Sequence, residues 1–404
     1  MKNLFTITVI IVFVTACNNR GIDITFTVNE AVRVDAQPGQ CPYLTKDNKG
    51  NTVLSWVRMI NDTTSEFCYA TSKDGISFSQ PVVIPNSGNI KPHGENLPKI
   101  IFKPSGELIA LWGAANPNPR NKHSGQVFYT QSFDNGKTWN DPRPLVTDTA
   151  SYDQRYYDVA LMPNGEAGII WLDNRKTIKR EGSGLYFATT NGTGGFTNGR
   201  LISEQCCQCC RTDLYIDKMG GIHALYRGII QDSIRDMVHT VSTDGGKTFT
   251  KPERISQDNW VLRGCPHTGP AMTENATGVH FAWFTGGSKR GCFYTKSDDN
   301  GASFKMQDSV SFSGSHPQIT SLPDGELVIV WDEPGSEGDK VFKRIGIQRR
   351  DADGKNKGKT YITNTESFAS YPVVSPLNGR FALVAYAKEQ DGKLYVDYQR
   401  VGLK

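Results

Sequence analysis

Apolar and polar residues alternate in short runs along most of the chain, and clusters of Gly, Asn, Asp and Pro separate the runs. A period of two with such breaks predicts β-strands joined by tight turns rather than helices. One arrangement recurs. A short apolar strand begins at Pro42, Pro98, Tyr157, Thr212, Pro270, Pro317 and Pro372, in steps of 56, 59, 55, 58, 47 and 55 residues. Fourteen residues beyond each start stands an aromatic: Trp56, Trp112, Trp171, Tyr226, Phe284, Trp331 and Tyr386. A turn signal lies between start and aromatic in every copy, so each pair reads as a hairpin. A third alternating strand follows, as at 67–72, 127–132 and 237–242, and then a fourth, as at 81–85 and 200–203. The seventh copy stops after its third strand. Residues 26–34 have the pattern of the missing fourth one.

These elements predict an all-β fold, a seven-bladed β-propeller of four-stranded blades whose last blade is closed by the N-terminal strand. Closure joins the two chain ends and hides sheet edges that invite aggregation. A single blade cannot bury both of its faces, so residues 26–404 are expected to form one domain that is stable only as a full ring.

Composition adds bounds. Forty Gly, twenty Pro and 10% aromatic residues suit short strands and tight turns. Lys plus Arg number 45 against 41 Asp plus Glu, with no block of like charge, so no nucleic-acid footprint is visible. Residues 1–16 read as a signal peptide: Lys2 precedes an apolar run too short to span a bilayer as a helix. The sequence Val14-Thr15-Ala16-Cys17 resembles the lipobox of bacterial lipoproteins. That resemblance implies lipidation of Cys17, residues 17–25 as a tether, and a place in the bacterial cell envelope, anchored to a membrane on the periplasmic or surface face of the outer membrane. A monomer is expected. The remaining eight Cys would face a compartment that permits disulfides.

The segment after the third strand resembles the Asp box of neuraminidase-type repeats, clearest at Ser132-Asp134-Gly136-Trp139, Ser242-Asp244-Gly246-Phe249 and Ser297-Asp299-Gly301-Phe304. Its Asp caps the turn and its aromatic plugs the blade, a structural task. Through these repeats the chain resembles the sialidase-like superfamily over nearly its whole mature length. The resemblance implies a site on the face opposite the boxes, where loops between blades converge with those joining second and third strands. Sialidases hold a carboxylate with three arginines and use Tyr as nucleophile and Asp as acid/base. By that analogy Tyr371, Asp236, Asp213 and His267 are candidate catalytic residues, and Arg175, Arg211, Arg235, Arg155, His93 and His316 candidate ligands of an acidic carbohydrate. Cys41-Pro42-Tyr43 stands where the Arg-Ile-Pro motif of sialidases is expected. Related propellers act as lyases on uronates, in which His or Tyr removes a proton. The rival reading is a non-catalytic propeller that binds a glycan or a metal.

A second constellation is Cys206-Cys207-Gln208-Cys209-Cys210-Arg211 with Gly264-Cys265-Pro266-His267. Disulfides pinning the two loops, a copper(I) or zinc site at Cys207, Cys209 and Cys210 with Cys265 or His267 as the fourth ligand, and a redox-active thiol are the three readings of it.

Overall fold

The computed structural model describes residues 26–175 and 181–404. Among them the strands form seven antiparallel sheets, each running in chain order from its first strand outward. The first strands are Gly39–Lys46, Lys99–Phe102, Gln154–Leu161, Asp213–Ile216, Ala271–Asn275, Ser315–Ser321 and Ala369–Pro376, for blades 1 to 7 in turn. Each contacts the first strand of the next blade, and that of blade 7 contacts that of blade 1, so the seven line one central channel. The expected seven-bladed propeller is the fold observed.

Closure also follows the sequence reading. Phe26–Val28 pairs with the last strand, Lys393–Leu403, in the register Phe26↔Leu403 and Val28↔Val401. Val32–Arg33 continues along the same strand, and the Val34 amide donates to the Val396 carbonyl at 3.0 Å. The two ends of the chain thus share one sheet.

The recurring aromatic is the centre of every blade. Trp56, Trp112, Trp171, Tyr226, Phe284, Trp331 and Tyr386 all sit on second strands and are all buried. Together with the Val, Ile and Leu around them they fill the gaps between blades, the burial that makes neighbouring sheets interdependent.

The Asp boxes staple neighbouring blades. In blade 4 the Gly246 amide donates to Ser242 Oγ at 2.9 Å, and Asp244 Oδ1 accepts from the Thr248 amide at 2.9 Å. Gly246 has φ +82°, and a Cβ there would meet Cε1 of Phe187, on the third strand of blade 3, at 2.2 Å. Only glycine supplies both the backbone conformation and the space for the neighbour's ring. Hydrogen bonds from the turn hold the Asp134 and Asp299 carboxyls down to about 2, below the usual carboxylate range.

At the channel mouth the first strands are irregular in a repeated way. Bulges interrupt the pairing between Gln40 and Tyr43, Arg155 and Asp158, Ser315 and Gln318, and Ser370 and Val373. Each bulge contains one non-glycine residue in the left-handed region: Cys41 (φ 59°), Tyr156 (53°), His316 (52°) and Tyr371 (51°). That conformation costs about 1–2 kcal/mol for an L-residue. Four repetitions of it mark a place where side chains are aimed rather than merely packed.

Candidate functional site at the channel mouth

The mouth is built around one loop. Residues His93 to Asn96, between blades 1 and 2, reach across the axis to the far side of the ring. Glu95, 1% exposed, pairs with Arg211 of blade 4 (Oε1 to Nη1, 2.9 Å) and accepts from the Arg211 and Gly269 amides. Tyr371 of blade 7 lies on Gly94, where a Cβ would stand 2.6 Å from its ring. Asn96 Oδ1 accepts from the Tyr156 amide at 3.1 Å.

Over this platform runs an arc of rings contributed by different blades. Tyr371 and His316 lie with centroids 4.1 Å apart, the His316 Nε2–H donates to the His267 carbonyl at 3.2 Å, His267 and His93 are 5.2 Å apart, and His93 and Tyr156 are 5.7 Å apart. Asp332, fully buried, fixes both members at one end: Oδ2 accepts from His316 Nδ1 at 2.7 Å and from the Tyr371 amide at 2.8 Å, while Lys343 pairs with Oδ1 at 3.1 Å. Burial, with Glu95 and Asp332 adding, pushes the Tyr371 hydroxyl well above its ordinary range, so it is a proton donor at neutral pH. Burial and the neighbouring His267, Arg155 and Lys91 hold His93 below its ordinary value, so it is neutral there. His93 Nδ1 accepts from the Glu95 amide, which leaves the proton of the neutral ring on Nε2. His267 is different: its Nδ1 is buried with no hydrogen-bond partner, an arrangement that costs free energy unless something else occupies it.

Beside His93 opens a small cleft of ≈ 70 Å³ lined by Lys91, His93, His123, Arg155 and Tyr156. Lys91 and Arg155 are its cationic groups. Arg155 gives Nη2 to Asp153 at 2.7 Å and sets its guanidinium carbon 5.9 Å from the Tyr156 ring centre.

The arginine clamp expected from the sequence is not assembled. Arg175 is paired with Asp173 and Asp148 and stacks on Tyr186, facing a groove between the outer strands of blades 2 and 3. Arg211 spends its donors on Glu95 and on the carbonyls of Gly269, Pro270 and Pro317, tying blades 4, 5 and 6 together at the axis. Arg235, 4% exposed, pairs with Glu181 and the Leu262 carbonyl. A buried guanidinium must be satisfied locally, and each has found its own acid. Two candidate acids are likewise spent. Asp236 accepts from Arg254 and from the Asn259 and Trp260 amides, capping the loop between blades 4 and 5. Asp213 accepts from the Met272 amide, and burial beside Asp158 pushes its carboxyl up to about 8. Of the expected residues, Tyr371, His267, His316 and His93 meet at the mouth and Arg155 adjoins them.

Sequence reading missed Asp332 and Lys343 and did not separate Glu95 from its neighbours. Asp332 had a signal: it directly follows the recurring aromatic Trp331, at the end of a second strand that leads into the mouth.

Next to Arg211 lies the cysteine cluster. The sulfurs of Cys207, Cys209 and Cys210 are all within 4.8 Å of one another and buried. The Cys209 and Cys210 thiols, then Arg227 and Arg235, hold the Cys207 thiol well below its ordinary value. Cys265 is exposed and outside the cluster, so it is not the fourth member the sequence suggested. Cys41, Cys68, Cys207, Cys209, Cys210, Cys265 and Cys292 form no disulfide, contrary to the expected pinning of the two loops. Cys68 and Cys292 are isolated in strand interiors. Cys17, the signal segment and the tether fall outside the described residues.

No protein-family model and no curated protein matches the chain. Solved structures do. A protein of unknown function from Dyadobacter fermentans superposes with a TM-score of 0.55 at 14% identity, covering 94% of this chain and 99% of that one. The polysaccharide lyase Uly1 gives 0.55 at 11% identity, covering 91% and 90%. The NanB sialidase of Streptococcus pneumoniae, as its K499G mutant, gives 0.50 at 11% identity, covering 90% and 86%. The chain shares its β-propeller fold with these structures. At such identities the likeness concerns the fold, and the chemistry of this propeller has to be argued from its own mouth.

Proposed function

We propose that the channel mouth is the reaction centre of an enzyme that cleaves an acidic glycan by β-elimination. The observation that carries this reading is the arc itself: a hydroxyl held protonated (Tyr371) and an imidazole with an unpartnered nitrogen (His267) are linked through His316, with a cleft carrying Lys91 and Arg155 beside His93. In a uronate polymer the base takes the proton from the carbon bearing the carboxylate. The electrons of that C–H bond form a carbon–carbon double bond, the bond from the adjacent carbon to the glycosidic oxygen breaks, and the departing oxygen takes a proton from the acid. His267 Nδ1 is the base and Tyr371 the acid in this scheme, with proton transfer by positioned groups contributing about 10²–10⁴-fold. Arg155 and Lys91 neutralise the carboxylate and the His93 Nε2–H donates to it, which lowers the cost of removing the neighbouring proton. Asp332 and His316 are positioning residues: they fix the Tyr371 and His267 backbones.

A sialidase-type route is less supported because Arg175, Arg211 and Arg235 are each engaged by acids or carbonyls of the protein and Glu95 is held by three donors. The test is turnover of a panel of polyuronates and sialyl conjugates, read as ultraviolet absorbance of the unsaturated product and as released sugar. Elimination on a polyuronate, reduced at least a hundredfold in both His267→Ala and Tyr371→Phe, is the expected result. Hydrolytic release of sialic acid, or full activity in both variants, overturns it.

The reading also keeps the chain as an exported monomer, lipid-anchored at Cys17 in the bacterial envelope, acting on extracellular carbohydrate. Metabolic labelling with an alkyne-tagged fatty acid tests the anchor; label should enter the wild type and be lost in Cys17→Ser.

A further inference from the structure

The cysteine turn beside the mouth has features that elimination chemistry does not use. Cys207 to Cys210 make a tight turn at the end of the outermost strand of blade 3, with Gln208 exposed and the three cysteines turned inward. Their sulfurs converge within 4.8 Å, Cys207 and Cys209 being 3.5 Å apart. Metal–sulfur bonds of about 2.3 Å around one central ion would set three sulfurs about 4 Å apart.

A second observation concerns charge. Arg227 is 1% exposed, and among the described residues it has no carboxylate partner. Its Nη1 and Nη2 donate to the carbonyls of Arg235, Thr268 and Phe284, its guanidinium lies 4.9 Å from the centre of the Trp260 ring, and its Nε donates to Cys210 Sγ at 3.4 Å. A buried cation without an anion is costly. The group placed to compensate it is the sulfur cluster, whose thiols lose their protons when they ligate a metal. Arg235, against the same turn, adds a second guanidinium whose own carboxylate, Glu181, is out in solvent.

We infer that Cys207, Cys209 and Cys210 form a three-thiolate site for copper(I), with Arg227 as the outer-sphere cation that stabilises the anionic complex. Soft thiolates select copper(I), zinc or iron–sulfur clusters. Zinc in a closed structural site takes four ligands, and no fourth His, Cys, Asp or Glu joins these three among the described residues. Cys206 turns its sulfur to the Ser203 and Glu204 carbonyls, and Cys265 is exposed. Three ligands in a buried pocket are enough for copper(I). The ion would lock the turn that delivers Arg211 to the axis, so the site belongs to the mouth's architecture while its existence does not depend on the reaction proposed there.

The experiment is anaerobic titration of the full reduced protein with copper(I) against a chromophoric copper(I) chelator, and separately with zinc, followed by X-ray absorption at the copper edge. The expected result is one copper(I) per chain held against the chelator, with three sulfur neighbours and no nitrogen, while zinc is released. Cys207→Ser and Cys210→Ser should each lower copper affinity at least a hundredfold. Arg227→Lys, which keeps the charge, should lower it less than the serine variants do. Failure of the wild type to hold copper(I), nitrogen or a fourth ligand in the absorption spectrum, or equal retention of zinc would each overturn the assignment.

Discussion

Glu95 is the single residue on which most of the mouth depends, because one carboxylate neutralises Arg211 and holds the Gly269 amide. Removing one partner of a buried pair leaves an uncompensated charge at a cost of about 3–5 kcal/mol. Glu95→Ala should lose about that much stability in urea unfolding, whereas Arg175→Ala, on the outer groove, should lose much less. A second residue-scale expectation concerns pH. His239 is buried among Phe281, Phe304 and His223, and burial, then the charge of His223, lowers it to about 3. A histidine depressed in the folded state is protonated more readily when unfolded, so its contribution is full above its unfolded value of about 6.5 and is lost as pH falls from there toward 3. At about 1.4 kcal/mol per unit, His239 alone should remove about 3 kcal/mol by pH 4. Unfolding free energies at pH 7 and pH 4 measure this loss, and His239→Phe, which puts a ring where other blades carry Tyr69, Phe187 or Tyr294, should reduce it.

At the scale of the element, the box turns and the bulged first strands divide the labour. Box turns hold blades to each other, and bulges aim side chains into the mouth. Gly246→Ala places a methyl against Phe187 in a backbone conformation unsuited to it, and thermal unfolding should report a loss of about 1–3 kcal/mol with turnover per folded molecule unchanged. The recurring aromatic was legible in the sequence because it does one job seven times, and the boxes because three blades carry the same turn; repetition exposes a pattern. The mouth was only half legible. Tyr371, His267, His316 and His93 are drawn together by where each first strand begins, which the repeat predicts. Partnerships between blades, such as Arg211 with Glu95 or Arg235 with Glu181, join residues 116 and 54 positions apart. No local pattern encodes them, so the arginines looked available for a ligand when each already had an acid. Asp213 and Asp236 misled for the same reason, since their acceptors are taken by backbone amides of the next blade or loop.

The molecule as a whole is a ring that exists only when its ends meet. Residues 26–34 supply the outermost strand of blade 7, and without them the Lys393–Leu403 strand becomes an open edge. A chain beginning after residue 34 should lose its cooperative melting transition and aggregate, as light scattering during heating would show. Only the closed ring brings the loop of Glu95 under rings from blades 3, 5, 6 and 7, and that convergence is the core of the functional account. Its most direct test is a crystal structure of the His267→Ala variant soaked with a uronic-acid tetrasaccharide. The account predicts a sugar carboxylate between Arg155 and His93, with the adjoining C–H aimed at the vacated imidazole and the glycosidic oxygen within reach of Tyr371. A chain bound in the groove beside Arg175, with the mouth empty, would contradict it.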